Sequence, residues 1–448
     1  MLTRRLFCHL AILIAAFSLA ATTPAQSSAQ TYTELDLKDG DRLLFLGDSI
    51  THQVQYTQYV EDFIFTRFPH LNIEMRNAGV SGDKAGDALL RFDEDVAAFK
   101  PTHVTVLLGM NDGSYQHFNH DIFATYERDM GLLVDKLEAL DAKVVMMGPS
   151  LFDTRVAQNR PPSWIRGDEQ VSAMKRYYNA VLGFYSAFLR EEAERRGHGY
   201  VDMIAPMARI TFEQRSENPD FTMIGDAVHP GSSGQAVMAA SIIEQMGLGG
   251  NTWAADVQKT RNGWVVIGEN ADVSGLKGAS ASVSFKMQPK SLPWVLPAEA
   301  RPGYEMYGAS EKLSAMVLRV TGLEPGQYAV HINGELVDTL RSHSLATGVN
   351  LNDYQNTPMF EQAARVAQLN KQRNERGVKV LRDTWGRRRN RDRQRAAGAD
   401  TTTDDWREWE RSFANGVAQA KAVSEELLPQ IKEAATPGGL RFEIIKVQ

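Results

Sequence analysis

Residues 42–51 read Arg-Leu-Leu-Phe-Leu-Gly-Asp-Ser-Ile-Thr, an apolar run that ends in a short polar turn. Leu43 to Leu46 is apolar at every position, as expected for a strand buried on both faces of a parallel sheet. Gly47, Asp48 and Ser49 follow directly. Ligands of such sheets bind beyond the carboxyl ends of the strands. This stretch therefore predicts both a parallel sheet and a functional site near Ser49.

The same alternation of short apolar runs and longer helical periodicity continues from Leu35 to about Met246. Further strands are predicted at Ile73–Met75, Val104–Leu108, Val144–Met147 and Tyr200–Met203. Helices are predicted at Val54–Phe68, Ala85–Phe99, Phe123–Leu140, Val171–Arg196 and Ser232–Met246. Alternating strands and helices indicate an α/β fold with a parallel sheet covered by helices on both faces.

Polar segments follow the next two strands and precede the last of these helices, at 77–83, 109–112 and 226–230. A serine hydroxyl is a weak nucleophile that needs an adjacent base, and the base needs a partner that fixes its tautomer. Ser49 can be the nucleophile, His229 the base and Asp226 its partner. Each residue taken alone also fits a turn or a helix cap.

Acyl transfer also needs donors for the oxyanion of the tetrahedral intermediate. The backbone N–H groups of Ser49 and Gly82 and the side-chain amide of Asn111 are the candidates. His117, His120 and Asp121 lie close together, but no further Cys, His or carboxylate set completes metal-ligand spacing. We expect no metal and no cofactor.

The four polar blocks resemble those of the SGNH hydrolases, also called GDSL-type esterases and lipases. The matching blocks are Gly47-Asp48-Ser49, Ser81-Gly82-Asp83, Gly109-Met110-Asn111-Asp112 and Asp226-x-x-His229. The resemblance covers about residues 35–246 and implies a three-layer α/β/α sandwich of SGNH or flavodoxin-like type. It also implies Ser49, Asp226 and His229 as the catalytic triad, with Ser49, Gly82 and Asn111 as the oxyanion hole.

The first 29 residues fit an export signal. Arg4 and Arg5 precede the apolar run Leu10–Ala21, and small residues around Ala25 or Ala29 offer a cleavage site. We expect a periplasmic or secreted protein, exported by the general secretory route or by the twin-arginine route, whose motif the two arginines resemble.

The predicted domains are residues 1–29 as signal peptide, 30–248 as catalytic domain, 249–340 as a β-rich accessory segment, 341–436 as a helical hairpin and 437–448 as a returning strand. The β-rich segment has strand patterns at Trp264–Ile267, Ser282–Met287, Met316–Val320 and Tyr328–Ile332, and the hairpin has helical patterns at Thr357–Arg395 and Asp404–Glu433. The returning strand is expected to complete the sheet that begins near Asn251. The arginine-rich run at 387–395 is interpreted as a solvated face, compensated by acidic residues within the hairpin.

The sequence predicts an exported serine esterase, with a carbohydrate O-acetylesterase as the first hypothesis. Trp164 and Tyr115 are the candidate substrate contacts. A lysophospholipase or thioesterase, and a glycan-binding protein without turnover, are the alternatives. The net charge of −6 argues against nucleic acid as a partner. A small-molecule or polysaccharide ester is the expected partner, without a stable membrane span, and the oligomeric state stays open.

Overall fold

The N-terminal half of the chain is built on a parallel sheet. The structure is a computed structural model that describes residues 35–165 and 167–447, so the predicted signal peptide lies outside the described residues. The strands of the sheet are β1 Arg42–Gly47, β2 Glu74–Gly79, β3 His103–Leu107, β4 Lys143–Met147 and β5 Gly199–Val201. Their order is β2-β1-β3-β4-β5, which is the flavodoxin-like order. The chain order reverses beside β1, and the carboxyl end of β1 leads into Ser49.

Helices cover both faces of this sheet, because its strands are apolar on both faces and buried. They are α1 Ser49–His52, α2 Gln55–Arg67, α3 Ala85–Leu90, α4 His120–Glu138, α5 Thr154–Asn159, α6 Asp168–Arg176, α7 Tyr178–Arg196, α8 Ile204–Glu217 and α9 Ser232–Gln245. The predicted α/β class with a flavodoxin-like sheet is therefore confirmed.

Two of the helices predicted for the parallel-sheet region are interrupted. The predicted helix 171–196 divides at Tyr177 into α6 and α7. The predicted helix 85–99 ends at Leu90 and continues as a π-helical turn, Phe92–Val96, and a short 3₁₀ turn. The buried Arg91 side chain explains the second irregularity, because its guanidinium binds Asp83 at 2.8 Å and Asp95 at 2.6 Å. The wide turn keeps both Arg91 and Asp95 directed into the protein.

The following segment forms two further sheets. Their strands are β6 Trp253–Thr260, β7 Gly263–Glu269, β8 Ala271–Ala279, β9 Ser282–Pro289, β10 Met316–Thr321, β11 Gln327–Ile332, β12 Glu335–Arg341, β13 Val349–Asn350 and β14 Leu440–Lys446. One sheet has the order β13-β10-β6-β7 and the other β12-β11-β14-β9-β8. Sequence patterns missed β6, β8, β12 and the two-residue β13. Strand β8 is largely exposed and contains Gly275 and Gly278, so it lacks an apolar alternation.

The last strand returns to the β-rich segment, as predicted, but to a different sheet. β14 lies between β9 and β11 and is antiparallel to both. The strand that begins near Asn251 is β6, which belongs to the other sheet. The expectation that the chain completes that sheet is therefore wrong, since the apolar side chains of β14, such as Phe442, face a core shared by both sheets. The predicted domain boundaries stay predictions.

The remaining helices are α10 Arg301–Tyr307, α11 Ala309–Leu313, α12 Ser342–Thr347, α13 Pro358–Arg373, α14 Lys379–Ala396 and α15 Asp404–Ala435. A π-helical turn, Asn374–Val378, joins α13 to α14. Within the described part of the chain, no helix is both long and apolar enough to cross a bilayer.

Helix α14 docks on the parallel-sheet region, so the interpretation of the arginine run as a solvated face is wrong in part. Arg391 and Arg395 do pair with acidic residues of the hairpin, Asp405 and Glu410, as predicted. The Arg388 side chain is 3% exposed and binds Glu94 at 2.7 Å, and Arg393 binds Asp87 at 2.8 Å. Arg382, one turn before the run, is fully buried and binds Asp95 at 2.7 Å. Removing one partner of such a buried pair typically costs about 3–5 kcal/mol.

Candidate active site

Ser49 is the first residue of α1 and follows β1 without an intervening loop. The Asp48 carboxylate caps this short helix by accepting the N–H of Ile50 at 2.9 Å. At Gly47 a side chain does not fit, since a Cβ would lie 2.1 Å from the Thr51 hydroxyl oxygen. Burial raises the pKa of Asp48 to about 7. The tight strand-to-helix turn therefore fixes Ser49 at the carboxyl edge of the sheet.

A continuous chain of hydrogen bonds joins Ser49 to Asp226. The Ser49 Oγ lies 2.9 Å from His229 Nε2, and His229 Nδ1 lies 2.7 Å from an oxygen of Asp226. The other Asp226 oxygen accepts the backbone N–H groups of Val228 and His229. Burial would raise the pKa of Asp226, but these hydrogen bonds outweigh it and lower the pKa to about 2. An ionised Asp226 holds the imidazole with Nδ1 protonated and the Nε2 lone pair directed at the serine.

Gly82 occupies the turn of a loop that we call the oxyanion loop, residues Val80–Asp83. The N–H of Asp83 donates to the carbonyl of Val80 at 3.1 Å, and the N–H of Val80 donates to Gly47 at 3.0 Å. Gly82 has a φ of +76°, which favours glycine at this turn position. The loop is thereby tied to the segment that carries Ser49.

Asn111 links the loops that follow the first three strands. Its amide nitrogen lies 3.1 Å from the Asp83 carbonyl oxygen and 3.3 Å from an Asp48 carboxylate oxygen. Its amide oxygen accepts the hydroxyl of Tyr115 at 2.9 Å. Asp112, which the sequence did not single out as functional, accepts the N–H groups of Ala85 and Gly109. The three predicted oxyanion donors therefore lie on mutually bonded loops.

The two predicted substrate contacts differ in their surroundings. Trp164 is 49% exposed, and its ring centroid lies 6.0 Å from that of His229. Tyr115 is half-buried and stacks on Tyr178 at 5.1 Å. Trp164 thus offers an open aromatic face beside the imidazole, whereas Tyr115 orients Asn111.

A second histidine, His52, contacts the oxyanion loop. His52 Nδ1 accepts the backbone N–H of Ser81 at 3.0 Å, and its Nε2 lies 2.8 Å from an oxygen of Asp383 in α14. The sequence assigns no functional role to His52, which lies at the end of α1. The spacing of Arg382, Arg389 and Arg393 along one helical face was the signal that α14 docks here, but it names no partner.

The chain is similar to several known proteins. Residues 45–237 match the model of the GDSL-like lipase/acylhydrolase family. An acetylxylan esterase of Geobacillus stearothermophilus is 26% identical over 229 residues, which are 48% of this chain and 97% of that protein. A solved structure of a catalytic mutant of an acetylxylan esterase from the same organism is 23% identical, covers 48% of this chain and 97% of its own, and has a TM-score of 0.38.

A solved structure shares the fold of most of this chain, including the part beyond residue 237. A gut microbial diltiazem-metabolizing enzyme has a TM-score of 0.76 and 25% identity, and the match covers 93% of this chain and 100% of that one. The match therefore extends beyond the parallel sheet to the β-rich segment and the helices. The chain is an ester-hydrolysing enzyme, and residues 45–237 form a GDSL-like lipase/acylhydrolase domain of the SGNH superfamily.

Proposed function

We propose that this enzyme removes acetyl groups from carbohydrate esters through an acyl-enzyme on Ser49. The observation that carries the proposal is the hydrogen-bonded chain from Ser49 through His229 to Asp226, with the exposed ring of Trp164 beside it. The chain of hydrogen bonds supplies a nucleophile with its base, and the aromatic face supplies a surface on which a sugar ring can stack.

The reaction proceeds in two displacements. His229 Nε2 takes the hydroxyl proton as Ser49 Oγ attacks the ester carbonyl carbon, and the carbonyl oxygen becomes the oxyanion. The N–H groups of Ser49 and Gly82 and the amide of Asn111 donate to that oxyanion. The sugar oxygen leaves with the proton from His229. Water then attacks the acyl-enzyme with the same base, which releases acetate and restores the serine.

The composition of the surrounding loops favours a polar alcohol over a lipid. Residues 77–86 and 111–120 contain many hydrogen-bonding side chains, whereas a long acyl chain needs a continuous apolar groove. The acetylxylan esterase relative acts, by its name, on an acetylated polysaccharide. An export signal at residues 1–29 would place the enzyme outside the cytoplasm, where such polymers occur, and the mass of the mature protein tests its removal.

The deciding experiment compares acyl donors on one enzyme preparation. Acetate release from acetylated xylooligosaccharides is measured beside fatty-acid release from a lysophospholipid, together with p-nitrophenyl esters of increasing chain length. We expect acetyl esters to be hydrolysed faster. Faster hydrolysis of the lipid would make a lysophospholipase the function instead.

The role of Trp164 is tested by Trp164→Ala, with Trp409→Ala in the hairpin as the matched control, since Trp409 stacks on Phe413. We expect Trp164→Ala to raise KM for the oligosaccharide by about 10-fold, because stacking on an aromatic face contributes about 1–3 kcal/mol in comparable ring contacts. Its rate on p-nitrophenyl acetate should stay near that of the wild type. An unchanged KM for the oligosaccharide would remove Trp164 from the substrate site.

A further inference from the structure

Helix α14 of the C-terminal hairpin contacts the backbone of the oxyanion loop directly. The Arg389 guanidinium donates from Nη1 to the carbonyl oxygen of Ser81. That carbonyl belongs to the same peptide unit as the N–H of Gly82. A peptide unit is planar, so fixing its carbonyl oxygen also fixes the direction of its N–H.

The charge of Arg389 adds to this geometric effect. A peptide group whose carbonyl accepts a strong hydrogen bond becomes a better donor through its N–H, because successive hydrogen bonds polarise one another. The guanidinium lies close against Gly82, since a Cβ there would be 2.5 Å from Nη1. Arg389 therefore both orients and polarises the Ser81–Gly82 peptide.

The preceding peptide of the loop is held by His52. A backbone N–H can only donate, so the 3.0 Å contact from Ser81 N leaves His52 Nδ1 unprotonated and places the ring proton on Nε2. Nε2 then donates to Asp383 at 2.8 Å, and Lys379 pairs with the same carboxylate. Burial, together with the nearby cations Lys379 and Arg382, outweighs the hydrogen bond to Asp383 and lowers the pKa of His52 to about 4, so the ring is neutral near pH 7.

Two ion pairs, of which that of Arg382 is buried, fix α14 in this position. Arg382 donates to the Asn77 carbonyl at 2.7 Å and to both oxygens of Asp95. Asn77 lies in β2, three residues before the oxyanion loop. Arg393 makes two contacts of 2.8 Å with the Asp87 carboxylate in α3, just after the loop. The helix is thus anchored on both sides of the residues that it contacts.

We propose that Arg389 and Asp383 are positioning residues for ester hydrolysis: Arg389 orients the Gly82 N–H through the Ser81 carbonyl, and Asp383 holds the loop through His52. The inference rests on the proposed function, which makes Gly82 a donor to the oxyanion. It makes the hairpin part of the hydrolytic apparatus rather than a separate binding module.

The first test replaces Arg389 in the full chain. Arg389→Met keeps the length of the side chain and loses the donor, whereas Arg389→Lys keeps a charged donor. We expect Arg389→Met to lower kcat on p-nitrophenyl acetate by about 10- to 100-fold with little change in KM, since small misplacements of catalytic groups have effects of that size. Arg389→Lys should recover part of the loss. Arg391→Met is the matched control, because Arg391 pairs with Asp405 within the hairpin.

The second test isolates the path through His52. In His52→Asn the side-chain amide oxygen can accept the Ser81 N–H. An amide has no tautomers, so this contact no longer needs Asp383 to fix the position of a ring proton. We expect Asp383→Ala to lower kcat by about 10-fold when His52 is present, because the oxyanion loop and its Gly82 N–H are then held less firmly. In the His52→Asn background the same change should have no further effect. A structural role for Asp383 would instead lower kcat and the melting temperature equally in both backgrounds.

These outcomes separate the inference from the proposed function. Wild-type kcat in Arg389→Met, or an undiminished effect of Asp383→Ala in His52→Asn, would overturn the positioning role and leave Ser49-dependent hydrolysis standing. Esterase activity that survives in Ser49→Ala would overturn both. Thermal unfolding of every variant shows that the loss of kcat occurs in folded protein.

Discussion

His229 and His52 each lie between a serine and an aspartate, yet they use their ring nitrogens in opposite ways. His229 turns Nε2 to the Ser49 hydroxyl at 2.9 Å, whereas His52 turns Nδ1 to Ser81 at 3.0 Å. The Nδ1 of His52 also accepts the backbone N–H of Ser81. Its lone pair is therefore engaged by a group that cannot give up its proton. A serine next to a histidine is a nucleophile candidate only where that lone pair is free to accept the hydroxyl proton.

The two aspartates differ as well. Asp226 is three residues from His229, and its backbone neighbours help to ionise it. Asp383 is 331 residues from His52 and comes from a docked helix. The His229 side chain is 28% exposed and can meet substrate, while that of His52 is 6% exposed. The His229–Asp226 pair is therefore local in sequence and accessible to substrate. The His52–Asp383 pair is brought together by tertiary structure and is buried.

The largest contrast is expected between the two serines. Ser49→Ala should lower kcat by at least about 10⁴-fold, because residual catalysis then comes from the oxyanion donors and binding alone. Ser81→Ala should stay within about 3-fold of the wild type, since the backbone groups that His52 and Arg389 bind remain in place. Initial rates on p-nitrophenyl acetate, with labelling by a fluorophosphonate probe, measure both. Equal losses in the two variants would contradict the contrast.

The aspartates should rank in the same order. Asp226→Asn is expected to lower kcat by about 10³-fold or more, since the carboxylate fixes the tautomer and stabilises the imidazolium. Asp383→Asn should lower kcat by about 10-fold at most, because Asp383 acts on an oxyanion donor only through His52. Steady-state kinetics at saturating substrate check the ranking. A larger loss for Asp383→Asn would reverse the assignment of the two histidines.

The pH profile distinguishes the two imidazoles next. A general base must be neutral to accept the Ser49 proton, so activity should be lost toward acidic pH and level at higher pH. His52, whose pKa is lowered to about 4, is already neutral near pH 7 and takes no proton from Ser49. His52→Asn should therefore leave the position of the acid limb unchanged. A displaced limb in that variant would mean that His52 titrates in the reaction.

The smallest expected effect is on the pH dependence of stability, and it comes from Asp48, whose carboxyl contacts the Asn111 amide. Its pKa is raised from 3.8 to about 7 in the folded protein, so its contribution to stability is present below pH 3.8 and lost as the pH rises through about 7. Asp226, lowered to about 2, contributes stability above pH 3.8 that is lost as the pH falls through 2. Relative to Asp48→Asn, the wild type should lose free energy of unfolding between about pH 4 and 7. Urea unfolding at several pH values measures the difference, and a constant difference would refute it.

The parts predicted from the sequence are those that depend on neighbouring residues. The apolar run before Gly47 predicted β1, and the spacing of Asp226 and His229 brought a carboxylate and an imidazole into one turn. Asp383 and Arg389 could not be paired with the oxyanion loop in this way, because their contacts depend on how α14 docks. The arginine run was visible, but the sequence does not show that its partners Glu94 and Asp87 lie on another element.

The position of β14 has a consequence for the order of folding. Helices α13, α14 and α15 lie in the chain between β12 and β14, and β14 closes its sheet by pairing Ile444 with both Val283 and Val330. Contacts between residues so far apart in sequence form late, since the intervening loop must be closed first. We therefore expect a refolding chain to form its parallel sheet before β14 pairs with β9 and β11 and the hairpin docks. Full kcat should return only in that last phase, because the contacts of α14 with the oxyanion loop form then.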